Sequence, residues 1–243
     1  GDIAGFCAST YLRSIDYIHI PTSLLAQIDS SIGGKTGINL NNAKNLVGTF
    51  YQPKMVITDP NLLLTLQKRF YYDGMAEAIK YACIKSSKLF SNLLSFDYKI
   101  EDIILECVKI KSEIVACDEK DSSIRMLLNF GHTIGHALEK IYNYDKLTHG
   151  EAIAIGMAMI TKISENLSLT KKGTFKKVKK ILELYKLSTS DNSSITEIFN
   201  ISINDKKNFD NSMNLILIKE IGNGFIYKID ENKFHSFLEA YYE

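Results

Sequence analysis

From Gln67 onward the chain is a succession of long patterns with helical period: Arg69 to Lys85, Glu101 to Cys117, Ile124 to Tyr142, Gly150 to Leu167 and the basic stretch Lys171 to Lys186. Apolar residues recurring every three to four positions commit this part to packed helices, because a half-buried strand would need strict alternation. The residues before it read differently. Tyr17 to Ile20 has strand character and is closed by Pro21, Ser23 to Ser31 carries helical spacing through Leu24, Leu25 and Ile28, and Met55 to Thr58 is a second strand. Asp59-Pro60 then supplies an N-cap and a first-turn proline. Short strands alternating with helices predict α/β packing with parallel strands. Near the end, Asn214 to Ile218 and Phe225 to Ile229 alternate around Gly222-Asn223-Gly224, a hairpin signal, and Glu231 to Tyr242 closes the chain as a helix. The expected organisation is an α/β part over 1–66 and a mainly helical part over 67–243, with neither internal repeats nor low-complexity tracts.

Composition removes several function classes. In 243 residues, 29 Lys and Arg nearly cancel 28 Asp and Glu, which argues against a nucleic-acid or membrane partner. The longest uncharged apolar run, Ala152 to Ile160, is far short of the ~20 residues of a spanning helix. The lysines at 171–172 and 176–180 read as a solvated helix face. Cys7, Cys83, Cys107 and Cys117 form no C-x-x-C pair, so they are expected to be reduced thiols of a cytoplasmic protein. Gly1-Asp2 runs straight into helical periodicity (Ile3, Phe6, Cys7, Tyr11) without a Met or a basic-then-apolar leader, so a trimmed chain is expected.

Three of the five histidines cluster: His132, His136 and His149. His132 and His136 stand at i and i+4, on one face of a helix, and His149 follows at the start of the next helix. Imidazole suits a borderline metal, and a catalytic site wants three protein ligands and an open position. The plainer reading is hydrogen-bonded histidines between packed helices; three so close together favour a site. Gly131 and Gly135 flank the pair, at ~1 kcal/mol each against Ala in a helix, which implies close approach by a backbone or a ligand. In Asp29-Ser30-Ser31-Ile32-Gly33-Gly34-Lys35-Thr36 the Gly-Lys-Thr resembles a nucleoside-triphosphate loop, but the position of its first glycine holds Asp29, whose charge repels phosphate. What survives is a Gly-rich turn presenting Lys35 to an anion or a cofactor rim, or an ordinary loop. Glu77 and Lys80 share a face of an otherwise apolar helix, either as a surface ion pair or as a metal ligand beside a substrate anchor. Arg125 and Asn129, one turn apart and leading into His132, make that helix costly for a core and natural for a polar site.

Taken together these blocks resemble 3-dehydroquinate synthase. The resemblance is carried by Gly1 to Phe6, Gln27 to Gly37, Lys44 to Lys54, Gly74 to Tyr81, Arg125 to His136 and His149-Gly150-Glu151, with weaker continuations at 205–207 and 221–222. It implies a Rossmann-like nucleotide-binding remnant followed by a helical metal-binding domain. It also implies an NAD-dependent, metal-dependent homodimer that converts 3-deoxy-arabino-heptulosonate 7-phosphate to 3-dehydroquinate and phosphate. The implied steps are oxidation of one alcohol, loss of phosphate, re-reduction, ring opening and aldol closure.

The resemblance implies Glu77, His132 and His149 as ligands of zinc or cobalt, and assigns His136 to substrate, where spacing alone would pair it with His132. Substrate and catalytic roles fall to Lys35, Lys80, Lys111, Arg125, Asn129, His136 and Lys207 (or Lys206), with Asp29 in support, orienting Lys35 or contacting the cofactor, and Arg13 reaching across a dimer. NAD contacts fall to Asp2, Thr22, Ser23, Lys35, Lys44, Asn45, Leu62 and Thr65. Members of the family carry a Gly-rich stretch before the Gly-Asp that starts here, so a chain beginning at Gly1 is expected to bind NAD at least about tenfold more weakly. Two departures stand out: Phe70 where the family has Glu, and Asp121 where it favours Glu. Sister sugar-phosphate cyclases, polyol dehydrogenases and a non-catalytic fragment are the competing readings; Lys80, Asn129 and His136 together speak for the synthase, and the Gly-Gly-Lys-Thr block speaks against a dehydrogenase.

Overall fold

The structure, a computed structural model, describes residues 1–40, 43–205 and 211–243, with the backbone alone at 40, 43–46 and 204–205. It divides into two compact units, Gly1–Gly74 with Lys99–Arg125, and Met75–Tyr98 with Met126–Glu243. Segment 99–125, expected with the helical part, therefore groups with the α/β part.

The first unit opens with α1 (Asp2–Thr10). Strands β1 (Ile18–His19) and β4 (Met55–Val56) pair in parallel, Ile18 opposite Met55 and His19 opposite Val56. Between them the chain makes an antiparallel pair, β2 (Lys35–Leu40) and β3 (Ala43–Phe50), running from Lys35 opposite Phe50 to Leu40 opposite Ala43. The turn after β4 is capped by Asp59, whose carboxylate accepts the Asn61 N–H at 2.9 Å ahead of a 3-10 turn over Pro60–Thr65. The fully buried Gln27 donates to the carbonyls of Pro21 (3.3 Å) and Asp59 (2.9 Å), tying together the segments that leave β1 and β4. Helix α4 (Ile100–Cys117) belongs here because Lys111, 5% exposed, is held by the backbone carbonyl and the carboxylate of Asp29, and because Val115 packs on Gly33.

The second unit is helical, with one antiparallel pair, β5 (Ser212–Glu220) and β6 (Asn223–Asp230). The turn joining them places Gly222 at φ +86 and its N–H on the Cys83 carbonyl at 2.8 Å. Helix α2 (Lys68–Lys85) is buried at every residue from Asp73 to Ile84, including Glu77 and Lys80. Then come α3 (Ser87–Ser95), capped by Ser86, α5 (His132–Ile141), α6 (His149–Asn166), α7 (Thr174–Leu184), α8 (Ile195–Asp205) and α9 (Glu231–Glu239). Helix α6 is buried at every residue from Ala152 to Thr161, an apolar stretch that suits a central helix. Among the described residues no helix is long and apolar enough to cross a membrane.

The expected continuous helix over 124–142 is two elements. A 3-10 segment, Ile124–Asn129, ends before Gly131, which sits at φ +82, and α5 starts afresh at His132. The glycines flanking the histidines answer to backbone. A Cβ on Gly131 would lie 2.8 Å from both the Ile153 carbonyl and the Met157 nitrogen, and one on Gly156 would collide with the Gly131 carbonyl and lie 2.9 Å from the Gly135 nitrogen. Helices α5 and α6 thus meet backbone to backbone, which only glycine permits.

Candidate metal and cofactor site

In the second unit α2, α5 and α6 bring Glu77, His132 and His149 together, with one ligand atom from each within 4.8 Å of the others. Glu77 is 1% exposed, and its Oε1 lies 3.7 Å from His132 Nε2 and 3.4 Å from His149 Nε2. Lys80, one turn on and equally buried, contacts Oε2. Glu77 thus offers one oxygen to Lys80 and turns the other to two imidazole nitrogens, a buried acceptor around which a cation would fit.

The other ring nitrogens are occupied. His132 Nδ1 faces the Phe130 carbonyl at 3.2 Å and His149 Nδ1 faces Glu139 Oε1 at 3.4 Å, which leaves both Nε2 atoms turned to Glu77. Burial, then the nearby Lys80, holds His132 well below the usual imidazole range. For His149 burial opposes the charge, but the Glu139 and Glu77 carboxylates outweigh it and push the pKa up to about 10. Thr148 caps α6 in a reciprocal box with Glu151, so the Glu of His-Gly-Glu fixes the helix start and with it the position of His149. His136 Nε2 lies 4.0 Å from Glu139 Oε2, and its side chain is 47% exposed. Asn129 lines a small cavity with Gly131, Thr133, Leu215 and Ile216. Two imidazoles and a carboxylate around one point are a donor set for zinc or cobalt.

The remaining expected residues that are described lie in the first unit. Asp29 and Lys35 each have a different partner from the one expected. Gly33 (φ +96) and Gly34 (φ +66) redirect the chain between them, so Asp29 pairs with Lys111, and Lys35 pairs instead with Asp121 at 2.5 Å. Arg125 is 2% exposed and donates to the carbonyls of Glu119 and Gly33, the latter at 3.1 Å. Its loop is organised by Asp118, whose carboxylate accepts the N–H groups of Ser122 (3.0 Å), Ser123 (2.7 Å) and Arg125 (3.1 Å). Those donors, Ser122 first, hold Asp118 well below the usual carboxylate range. Asp118 went unnoticed in the sequence, although Asp-x-x-x-Ser-Ser after a helix is a turn signal.

Thr22 and Ser23 follow β1, and Leu62 and Thr65 follow β4, all partly or fully exposed. Because β1 and β4 are parallel, both segments leave the same carboxyl end of the pair, where α/β sheets bind ligands. Asp2 sits in the first turn of α1, and the absent Cβ of Gly1 leaves room for the His19 ring. Arg13 is exposed, in a hook where Leu12, Arg13 and Ser14 all have positive φ. The side chains of Lys44 and Asn45, and Lys206 and Lys207 altogether, lie outside the described residues. Phe70 is 44% exposed.

Residues 1–73 match the 3-dehydroquinate synthase N-terminal family and 74–208 the 3-dehydroquinate synthase C-terminal family. The chain belongs to the 3-dehydroquinate synthase family. The 3-dehydroquinate synthase of Clostridium perfringens is 53% identical over 237 residues, covering 93% of this chain and 67% of that protein. That of Clostridium acetobutylicum is 51% identical over 247 residues, covering 99% and 69%. Among solved structures, 2-epi-5-epi-valiolone synthase from Streptomyces hygroscopicus, with NAD+ and Zn2+ bound, superposes with a TM-score of 0.87 at 25% identity over 99% of this chain and 70% of that one. A 2-deoxy-scyllo-inosose synthase complexed with carbaglucose-6-phosphate, NAD+ and Co2+ gives 0.84 at 26% identity, covering 98% and 70%. The chain thus spans about two thirds of the length of its relatives.

Proposed function

We propose that this chain carries out the 3-dehydroquinate synthase reaction, taking 3-deoxy-arabino-heptulosonate 7-phosphate to 3-dehydroquinate and phosphate with NAD and a divalent metal. The observation that carries the reading is the buried Glu77 carboxylate facing the Nε2 atoms of His132 and His149, with one ligand atom from each of the three close together. Identity of about half to synthases, against about a quarter to sister cyclases, favours this substrate over theirs.

Glu77, His132 and His149 would hold the metal, and the parallel-strand ends around Asp2, Thr22, Ser23, Leu62 and Thr65 would hold NAD together with Lys44 and Asn45. When bound, the metal supplies polarisation of an alcohol oxygen and NAD a transient hydride acceptor. The protein's own groups then bind and orient. Lys80, buried against Glu77, would keep a positive charge beside the metal ligands for a substrate hydroxyl or carboxylate. His136, half exposed and backed by Glu139, is placed to exchange a proton with solvent or with a leaving phosphate. Lys35, Lys111 and Arg125 would each supply a positive charge of the kind that suits phosphate and carboxylate; Asp121 and Asp29 hold the two lysines in place.

A homodimer in a cytoplasmic setting belongs to the same reading. Its support is the outward Arg13, held in a hook of unfavourable backbone that folds tolerate where it is used, and four free cysteines. The test is turnover by the full-length enzyme with heptulosonate phosphate, NAD and Zn or Co. Equal release of phosphate and 3-dehydroquinate, without net NADH, is expected. Net NADH, or turnover of a different sugar phosphate only, would refute the assignment.

A further inference from the structure

A second grouping of metal-type ligands lies beside the first: His136, Glu139 and His149. It shares His149, whose nitrogens face different partners: Nε2 lies 3.4 Å from Glu77 and Nδ1 3.4 Å from Glu139. One ring cannot serve two cations as a neutral ligand, so the grouping is better read as support for the first site. We propose that Glu139 is the positioning residue of this centre, a buried carboxylate that holds the His149 ring with Nε2 towards Glu77 and seats His136 with its other oxygen.

The geometry carries the assignment. Glu139 is 3% exposed, on the third turn of α5, seven residues after His132 and three after His136. A carboxylate seldom stays so deep without paired partners. Its Oε1 takes His149 Nδ1 and its Oε2 lies 4.0 Å from His136 Nε2, so one side chain meets two rings whose centroids are 5.9 Å apart. His132 is aligned differently, by the Phe130 carbonyl just before the helix, so the backbone serves that ring and Glu139 serves the other. His149 is the first residue of α6 and joins the site from a different helix. The described polar partners of the His149 ring are Glu77 at Nε2 and Glu139 at Nδ1, so the acceptor at Nδ1 is what turns Nε2 towards the metal position. Carboxylates behind a ligating histidine fix its tautomer and orientation, and their loss weakens metal binding by ~10–100-fold.

The inference rests on the metal reading given above, and the test separates the two. In the full-length enzyme, Zn affinity is measured by competition with a chromogenic chelator, and Co(II) geometry by visible absorption, for Glu139→Leu, Glu139→Gln and His149→Ala. Glu139→Leu is expected to weaken Zn binding by ~10–100-fold and to alter the Co(II) spectrum. Glu139→Gln, which keeps an acceptor and the volume, should lose less than about tenfold, and it carries the test should the leucine variant fail to fold. His149→Ala should lose far more than either. Wild-type affinity and spectrum in a folded Glu139→Leu protein, with His149→Ala still defective, would overturn the positioning role alone. Undiminished binding in His149→Ala would overturn the metal reading and this inference with it.

Discussion

Replacing Gly156 by alanine sets two physical effects against each other. Gly156 lies inside α6, where helix propensity alone favours alanine by ~1 kcal/mol. The added Cβ, however, would collide with the Gly131 carbonyl and approach the Gly135 nitrogen at 2.9 Å. Overpacking in a dense core costs ~1–3 kcal/mol, and the upper end applies where the obstacles are backbone atoms that cannot rotate away. The net expectation is a loss of ~2 kcal/mol. For a chain of this size that is a fall in Tm of ~4–8 °C. Gly131 directly precedes His132, so the retreat of α5 should also weaken Zn binding. Thermal unfolding of the metal-free protein, with Zn competition on the same samples, reads both. A Tm at or above wild type with unchanged Zn affinity would mean that propensity wins and that the helices do not meet as described.

Asp118→Ala should lower stability by an amount that is constant from pH 8 down to about 4 and shrinks below that. A carboxylate depressed in the folded state contributes fully above its unfolded pKa of ~3.9 and loses the contribution as pH falls towards its folded value. Denaturant melts of both proteins across that range measure it, and a difference that grows on acidification would contradict the assignment. Asp29→Asn leaves Lys111 with the carbonyl at position 29 but removes the carboxylate charge that it contacts there. Metal content should be unchanged while kcat/KM falls at least about tenfold, the scale of losing one charge-assisted contact; metal loss in this variant would place Asp29 in the wrong role.

What the sequence made legible follows from periodicity. The helices over 68–85, 100–117, 149–166 and 174–184 announce themselves because each keeps an apolar stripe over several turns. The pair β2–β3 was invisible because Lys-Thr-Gly-Ile-Asn-Leu and Ala-Lys-Asn-Leu-Val-Gly-Thr-Phe do not alternate cleanly, and Gly37 opposite Gly48 leaves one rung without side chains. Helices α3 and α8 were missed among serines and asparagines that usually mark loops. The break before His132 was written in Asn129-Phe130-Gly131, a helix ending followed by a left-handed glycine, but the long apolar pattern masked it. Spacing by itself would have joined His132 to His136. Only the tertiary fold, which brings α2 and α6 to the same point, groups His132 with His149 and Glu77. Glu139 escaped because an acid three residues after a histidine looks like an ordinary surface pair until its burial is known.

The interleaving of the two units has a consequence for biosynthesis. The α/β unit includes Lys99–Arg125, and its Lys111–Asp29 contact closes a span of 82 residues. It cannot be completed when residue 74 leaves the ribosome; it must wait until residue 125 has emerged, with the segment 75–98 already made and held out of the way. Contacts of such separation form late and slowly. The nascent chain should therefore pass through an interval in which β1 to β4 and their apolar neighbours are synthesised but unclosed, and there, more than in the helical unit, holding by a chaperone would decide the yield of folded protein.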